Sequence, residues 1–211
     1  MPTMSHRPSG PVARILHAAT VLSLVLSSPA LGQGGKQVAA SARSPELERA
    51  RATLDKYQDP IAAVHDGYFS TLGCVEYLQG GAEGSMRYVP GGMGVHFLNL
   101  QLIGGHLDPA KPQVLIYEPV GGKLRLAAAE WFVPTAVAGD TRPAIFGQPL
   151  QGPMEGHHPL QPAALHHYDL HVWLWKDNPA GMFSPTNPAL KCPEGSYSFD
   201  EKAPKMVHAG H

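Results

Sequence analysis

The chain is short of charge, cysteine and long apolar runs. Only 16% of its 211 residues are Asp, Glu, Lys or Arg, well under the usual quarter, which excludes a highly charged disordered chain. The formal net charge is -1 and no Lys/Arg cluster occurs. A nucleic-acid partner is therefore not expected, because neutralising phosphates needs a concentrated basic surface. No internal repeat is visible, and Gly 23 and Pro 21 follow no Gly-x-y period, so collagen is excluded and short elements joined by many turns are implied. No Gly-x-Ser-x-Gly elbow is present. Gly91-Gly92-Met93-Gly94 resembles a phosphate-cradling loop, but no helix pattern or Lys follows it, so turn geometry explains it better.

The front of the chain reads as a secretory signal peptide, residues 1–32. Arg7 and Arg14 are its only charges, and Ile15 to Leu26 form an apolar stretch too short to span a bilayer comfortably. Ala30-Leu31-Gly32 fits a cleavage site before Gln33, with Ser28-Pro29-Ala30 as the other option. The competing reading is an uncleaved anchor. No later segment is apolar enough to cross a membrane, so a secreted or periplasmic protein without a stable anchor after cleavage is expected. In an oxidising compartment Cys74 and Cys192 can form a disulfide; two free thiols or metal ligands are the alternative.

After a polar lead-in (33–43), residues 44–211 read as one domain. Ser44 is an N-cap, Pro45 opens the helix, and Leu47, Ala50, Leu54 and Tyr57 repeat at three and four. Asp59-Pro60 repeats the cap, and a second short helix stops at Gly67. Beyond Tyr68 the helical period disappears. Strands are expected near 75–79, 86–89, 94–98, 113–118, 123–133 and 167–175, with a tight hairpin at Gly121-Gly122. A long connection (134–166), loop with short ordered pieces, and a Pro-rich tail (176–211) pinned by Cys192 complete the chain. The fold class is α+β, mainly β: a small antiparallel barrel or curved sheet with two short N-terminal helices.

Twelve histidines are many for this length, and the densest segment runs from His166 to Trp175. On a strand, Tyr168, Leu170, Val172 and Leu174 share an apolar face, while His167, Asp169, His171, Trp173 and Trp175 share the other. His167 and His171 lie about 13 Å apart along a strand and cannot easily share one ion, whereas Asp169 lies two residues from each. Glu130 falls in register with Leu126, Ala128 and Phe132, and an ionised Glu on an apolar face needs a partner or a metal. The candidate metal set is therefore His96, Glu130, Asp169 and His171, with His167 or Glu118 as replacements. Carboxylate plus imidazole suits Fe, Mn, Zn or Cu, and such a centre fits an oxidoreductase or hydrolase. The loop Gly156-His157-His158-Pro159 could approach it as a lid.

Two other readings stay open. The histidines and acids could form a satisfied structural layer in a non-catalytic ligand-binding or envelope-stress module. Trp173 and Trp175 could stack on a sugar or aromatic ligand. A small-molecule ligand is compatible with each reading.

The segments Met93-Gly94-Val95-His96-Phe97, Tyr117-Glu118-Pro119, Phe146-Gly147-Gln148-Pro149, His167 through Trp173 and Asn178 through Phe183 together resemble a group of exported bacterial proteins. The resemblance covers about residues 45–192. It implies export from a bacterial cell and carries over no activity and no catalytic residue.

Overall fold

A computed structural model describes residues 44–83, 86–157, 161–194, 198–200 and 205–207. The segments read as a signal peptide and a lead-in, and His158, lie outside the described residues.

Local signals set the two N-terminal helices. In α1 (Pro45–Leu54) the Ser44 hydroxyl accepts from the Leu47 amide, and Glu46 and Glu48 occupy the first turn, where the helix dipole favours acids. Leu47, Ala50 and Leu54 form its buried stripe. A 3-10 turn over Asp55–Gln58 carries the chain on and buries Tyr57. The Asp59 carboxylate then accepts from the Ile61 amide at 2.9 Å and opens α2 (Pro60–His65).

The rest is mostly strand, curled into an antiparallel half-barrel. In chain order the strands are β1 (Phe69–Tyr77), β2 (Gly81–Glu83), β3 (Met86–Tyr88), β4 (Gly91–Leu98), β5 (Val114–Val120), β6 (Lys123–Pro134), β7 (Ala144–Ile145), β8 (Gln148–Pro149), β9 (Gln151–Met154), β10 (His167–Val172) and β11 (Ser198–Asp200). The large sheet has the order β11-β1-β4-β5-β6-β10-β9, all antiparallel except the β11–β1 edge. β2–β3 and β7–β8 are separate two-stranded hairpins. Gly121 and Gly122, both at positive φ, make the two-residue turn between β5 and β6 that such a hairpin needs.

One face of the sheet carries the main apolar core. Val95, Phe97, Leu115, Tyr117, Ala127, Ala129, Trp131, Leu170 and Val172 join the buried residues of α1 and α2 there. Tyr117 donates its hydroxyl to the Tyr57 carbonyl at 2.6 Å, and the Trp175 indole donates to Asp55 at 2.6 Å, which ties the helices to the sheet body. Cys74 on β1 and Cys192 form a disulfide that closes a separation of 118 residues.

Two expectations need adjustment. The strand expected to reach residue 175 stops at Val172: beyond it the Trp173 amide bonds Met182, and the Trp175 and Lys176 amides both bond Ala127. The alternation argument therefore lapses at the tryptophans. Trp173 is buried in the apolar core with its indole on the Ser184 carbonyl, so no two-tryptophan stacking platform forms. The 134–166 connection is loop with short ordered pieces, as expected. It holds a helical turn, α3 (Thr135–Ala138), and the short strands β7, β8 and β9, the last of which covers the outer edge of β10. These strands have two to four residues, too few for a period to be read.

Candidate metal centre

The polar groups gather on the sheet face opposite the main core. Register explains part of this directly. Glu130 on β6 stands opposite His171 on β10, and directly opposed residues of an antiparallel pair point to the same side. His96 on β4 pairs with Ile116, which pairs with Ala128, one pleat from Glu130 on the same face. β4 and β6 are two strands apart, about 9–10 Å. His96 and Glu130 reach toward each other over β5 and close that gap.

The result is a buried triad. Glu130 Oε2 lies 3.5 Å from His171 Nε2 and 3.8 Å from His96 Nε2, with no side chain more than 7% exposed. The two rings stand nearly perpendicular, centroids 6.3 Å apart. A second triad lies beside it. Asp169 Oδ2 is 3.5 Å from His167 Nε2 and 3.6 Å from His157 Nε2, again buried. In each triad one ligand atom per residue falls within 4.8 Å of the others, close enough to hold one ion.

The expected set is thus divided. His96, Glu130 and His171 come together. Asp169 turns to the other side, toward His167, because β10 and the loop after β9 bring two imidazoles there. Glu118, the alternative carboxylate, is elsewhere and pairs with Lys176 at 2.9 Å. His65, His106 and His166 are exposed. Reasoning from sequence missed His157 as a ligand. It sits just past β9, in the loop expected to approach the site as a lid, and only the chain path brings its imidazole to Asp169.

Burial governs the electrostatics. It lowers His96 to about 3, with the neighbouring imidazole of His171 adding to the effect. It lowers His171 to about 4, against a partial upward pull from the Asp169 charge. Both rings are therefore neutral at pH 7, the form that binds metal. Glu130 is raised well above its ordinary value by burial and then by the Asp169 charge. Burial also works to raise Asp169, but contacts from His157 and His167 and the charge of His171 bring it below the usual carboxylate range.

The spacing sets these contacts apart from ordinary hydrogen bonds. Hydrogen bonds between these groups would run about 2.7–3.2 Å, and the four contacts here are 3.5–3.8 Å. Neither ring nitrogen of His171 has a hydrogen-bond partner, nor has Asp169 Oδ1. Ligands about 2.0–2.1 Å from a zinc ion sit roughly 3.3–3.5 Å from one another in a tetrahedron. The observed gaps match the edges of a coordination shell better than they match hydrogen bonds.

A cavity of about 10 Å³ opens on the first triad, bordered also by Val75, Met93, His157 and Gln161. That volume is about what one water needs. Gln161 also lines a larger, mostly apolar cavity of about 210 Å³ between Phe69, Leu98, Val114, Phe132 and Leu165.

No protein-family model matches the chain, and neither a curated protein nor a solved structure does. Among the described residues, no helix is long and apolar enough to cross a membrane. A disulfide joining β1 to the C-terminal segment is compatible with an extracytoplasmic location.

Proposed function

We propose that this is an exported bacterial protein, secreted or periplasmic, that binds a divalent transition metal through His96, Glu130 and His171. The observation that carries the reading is the Glu130 carboxylate oxygen held 3.5 and 3.8 Å from two buried imidazole nitrogens, too far for hydrogen bonds and near enough for a shared ion. Two imidazoles and one carboxylate leave coordination positions open, the arrangement of metal centres that work on a bound molecule. The water-sized cavity faces those positions. The apolar cavity beyond Gln161 is the place for a small organic ligand. Export is supported by Arg7 and Arg14 ahead of the Ile15–Leu26 apolar stretch and by the Cys74–Cys192 disulfide. Metal analysis of protein purified without a histidine tag tests the binding. A folded His171→Ala variant that holds one ion per chain fewer than the wild type is the expected result. Metal-free protein whose melting temperature ignores added Zn, Fe, Mn and Cu would refute it.

A further inference from the structure

We infer that His157, His167 and Asp169 form a second metal site beside the first, so that the chain holds two divalent ions on one face of the sheet. The inference extends the proposed function by giving its site a second ion, with ligands of its own.

The argument rests on which nitrogen of His167 carries the proton. His167 Nδ1 lies 3.1 Å from the Leu165 carbonyl oxygen. A carbonyl only accepts, so Nδ1 must carry the hydrogen and donate. In the neutral ring Nε2 then presents a lone pair, and it presents it to Asp169 Oδ2 at 3.5 Å. Two acceptors facing each other in a dry site repel unless a cation lies between them. A proton would draw them to ordinary hydrogen-bond length, about 2.7–2.9 Å for a charged pair. The wider gap is that of two ligands on one metal ion.

The surroundings fit that role. Metal-bound histidine usually donates its other ring N–H to a carbonyl or carboxylate, which sets the tautomer and aims the ring. Leu165 does this for His167. Tyr77 holds His157 at Nδ1, 3.1 Å away, and so turns Nε2 toward Asp169. The Phe132 ring stacks on His167 at 4.5 Å and fixes its plane. Asp169 stands opposite Phe132 on the ladder, and His171 stands opposite Glu130 one pleat along. The two sites are therefore spaced by about 6–7 Å, one pleat repeat. That exceeds the roughly 3.5–4 Å of a bridged pair, so each ion keeps its own carboxylate. His157 also borders the cavity of the first triad, which makes the two ions neighbours across it.

Titration of metal-free protein with Co(II), followed by visible absorption, tests the inference. The expected endpoint is two ions per chain for the wild type, one for His167→Gln and one for His171→Gln. Tyr77→Phe changes no ligand; it should keep two sites and weaken one of them by about 10–100-fold, the usual effect of removing a residue that orients a ligand. An endpoint of one in the wild type, unchanged in His167→Gln and lost in His171→Gln, overturns the second site and leaves the first standing. An endpoint of one that His167→Gln removes and His171→Gln does not reverses the assignment and refutes the first reading instead. If His167→Gln does not fold, His171→Gln decides: one ion remaining is expected, and none remaining overturns the inference.

Discussion

Replacing Glu130 by glutamine should stabilise the metal-free protein while destroying metal binding at His96, Glu130 and His171. Glu130 is 3% exposed, and its nearest partners, His96 and His171, are held neutral by burial. No cation faces the carboxylate in the metal-free protein, so its ionised form is strongly disfavoured. Folded Glu130 therefore keeps a proton that the unfolded chain releases near 4.5. Between 4.5 and the raised folded value the folded state binds more protons, so this residue's contribution to stability falls as pH rises. Each pH unit is worth about 1.4 kcal/mol, which sets the penalty at pH 7 at no more than about 3.5 kcal/mol. His96 and His171 act in the opposite sense. They titrate at about 3 and about 4 in the folded chain against 6.5 unfolded. Their contribution is complete above 6.5 and is lost as pH falls through that window. They are present in both proteins and drop out of the difference. Glutamine keeps the shape, is neutral, and offers an amide N–H to the imidazoles. Urea unfolding of chelator-treated protein should make Glu130→Gln more stable than wild type by about 1–3 kcal/mol at pH 7, with the gap closing toward pH 4.5. Added metal should raise the melting temperature of the wild type more than that of the variant. A variant less stable than wild type at pH 7 without metal, or one that keeps its full metal content, refutes the reasoning.

Further outcomes follow from the same geometry. Metal entering His96, Glu130 and His171 in a His157→Gln background should release about one proton per ion at pH 7, from Glu130, because the imidazoles are already neutral; calorimetry in buffers of different ionisation enthalpy counts it, and a release of two or more contradicts the assignment. Cys74→Ser opens a 118-residue link and should lower stability by about 4–5 kcal/mol in the chain-entropy account, read by denaturant unfolding against the oxidised wild type. A loss under about 1 kcal/mol would show that the β1-to-tail link constrains little. Gly94 lies on β4 at φ 84°, and a Cβ there would meet the Tyr117 carbonyl oxygen at 2.5 Å. Gly94→Ala should therefore destabilise by about 2 kcal/mol or more, and a neutral result in thermal unfolding would contradict the close β4–β5 approach.

The parts of this protein that could be read in advance are those set within a few residues. Ser44-Pro45 and Asp59-Pro60 start helices because each cap satisfies amides two or three residues away. Gly121-Gly122 turns the chain because both residues tolerate positive φ. The apolar side of β10, Tyr168, Leu170 and Val172, was legible from alternation and faces Val133, Trp131 and Ala129. The same alternation misled beyond Val172, where the regular ladder with β6 ends and Trp173 turns into the core. Asp169 shows the limit most clearly. Its face could be read, but the side to which it turns depends on where His157 arrives from the loop after β9.

The order of residues by itself determined the caps, the turn glycines, the one available cysteine pair and the side of the strand on which each β10 side chain stands. Those features follow from local backbone geometry and simple counting. Tertiary structure decided how two acids and four imidazoles were shared between triads, because that depends on strand register and on a loop folded against the sheet. A pleat sets the direction of a side chain, and only the packed neighbours determine what it meets.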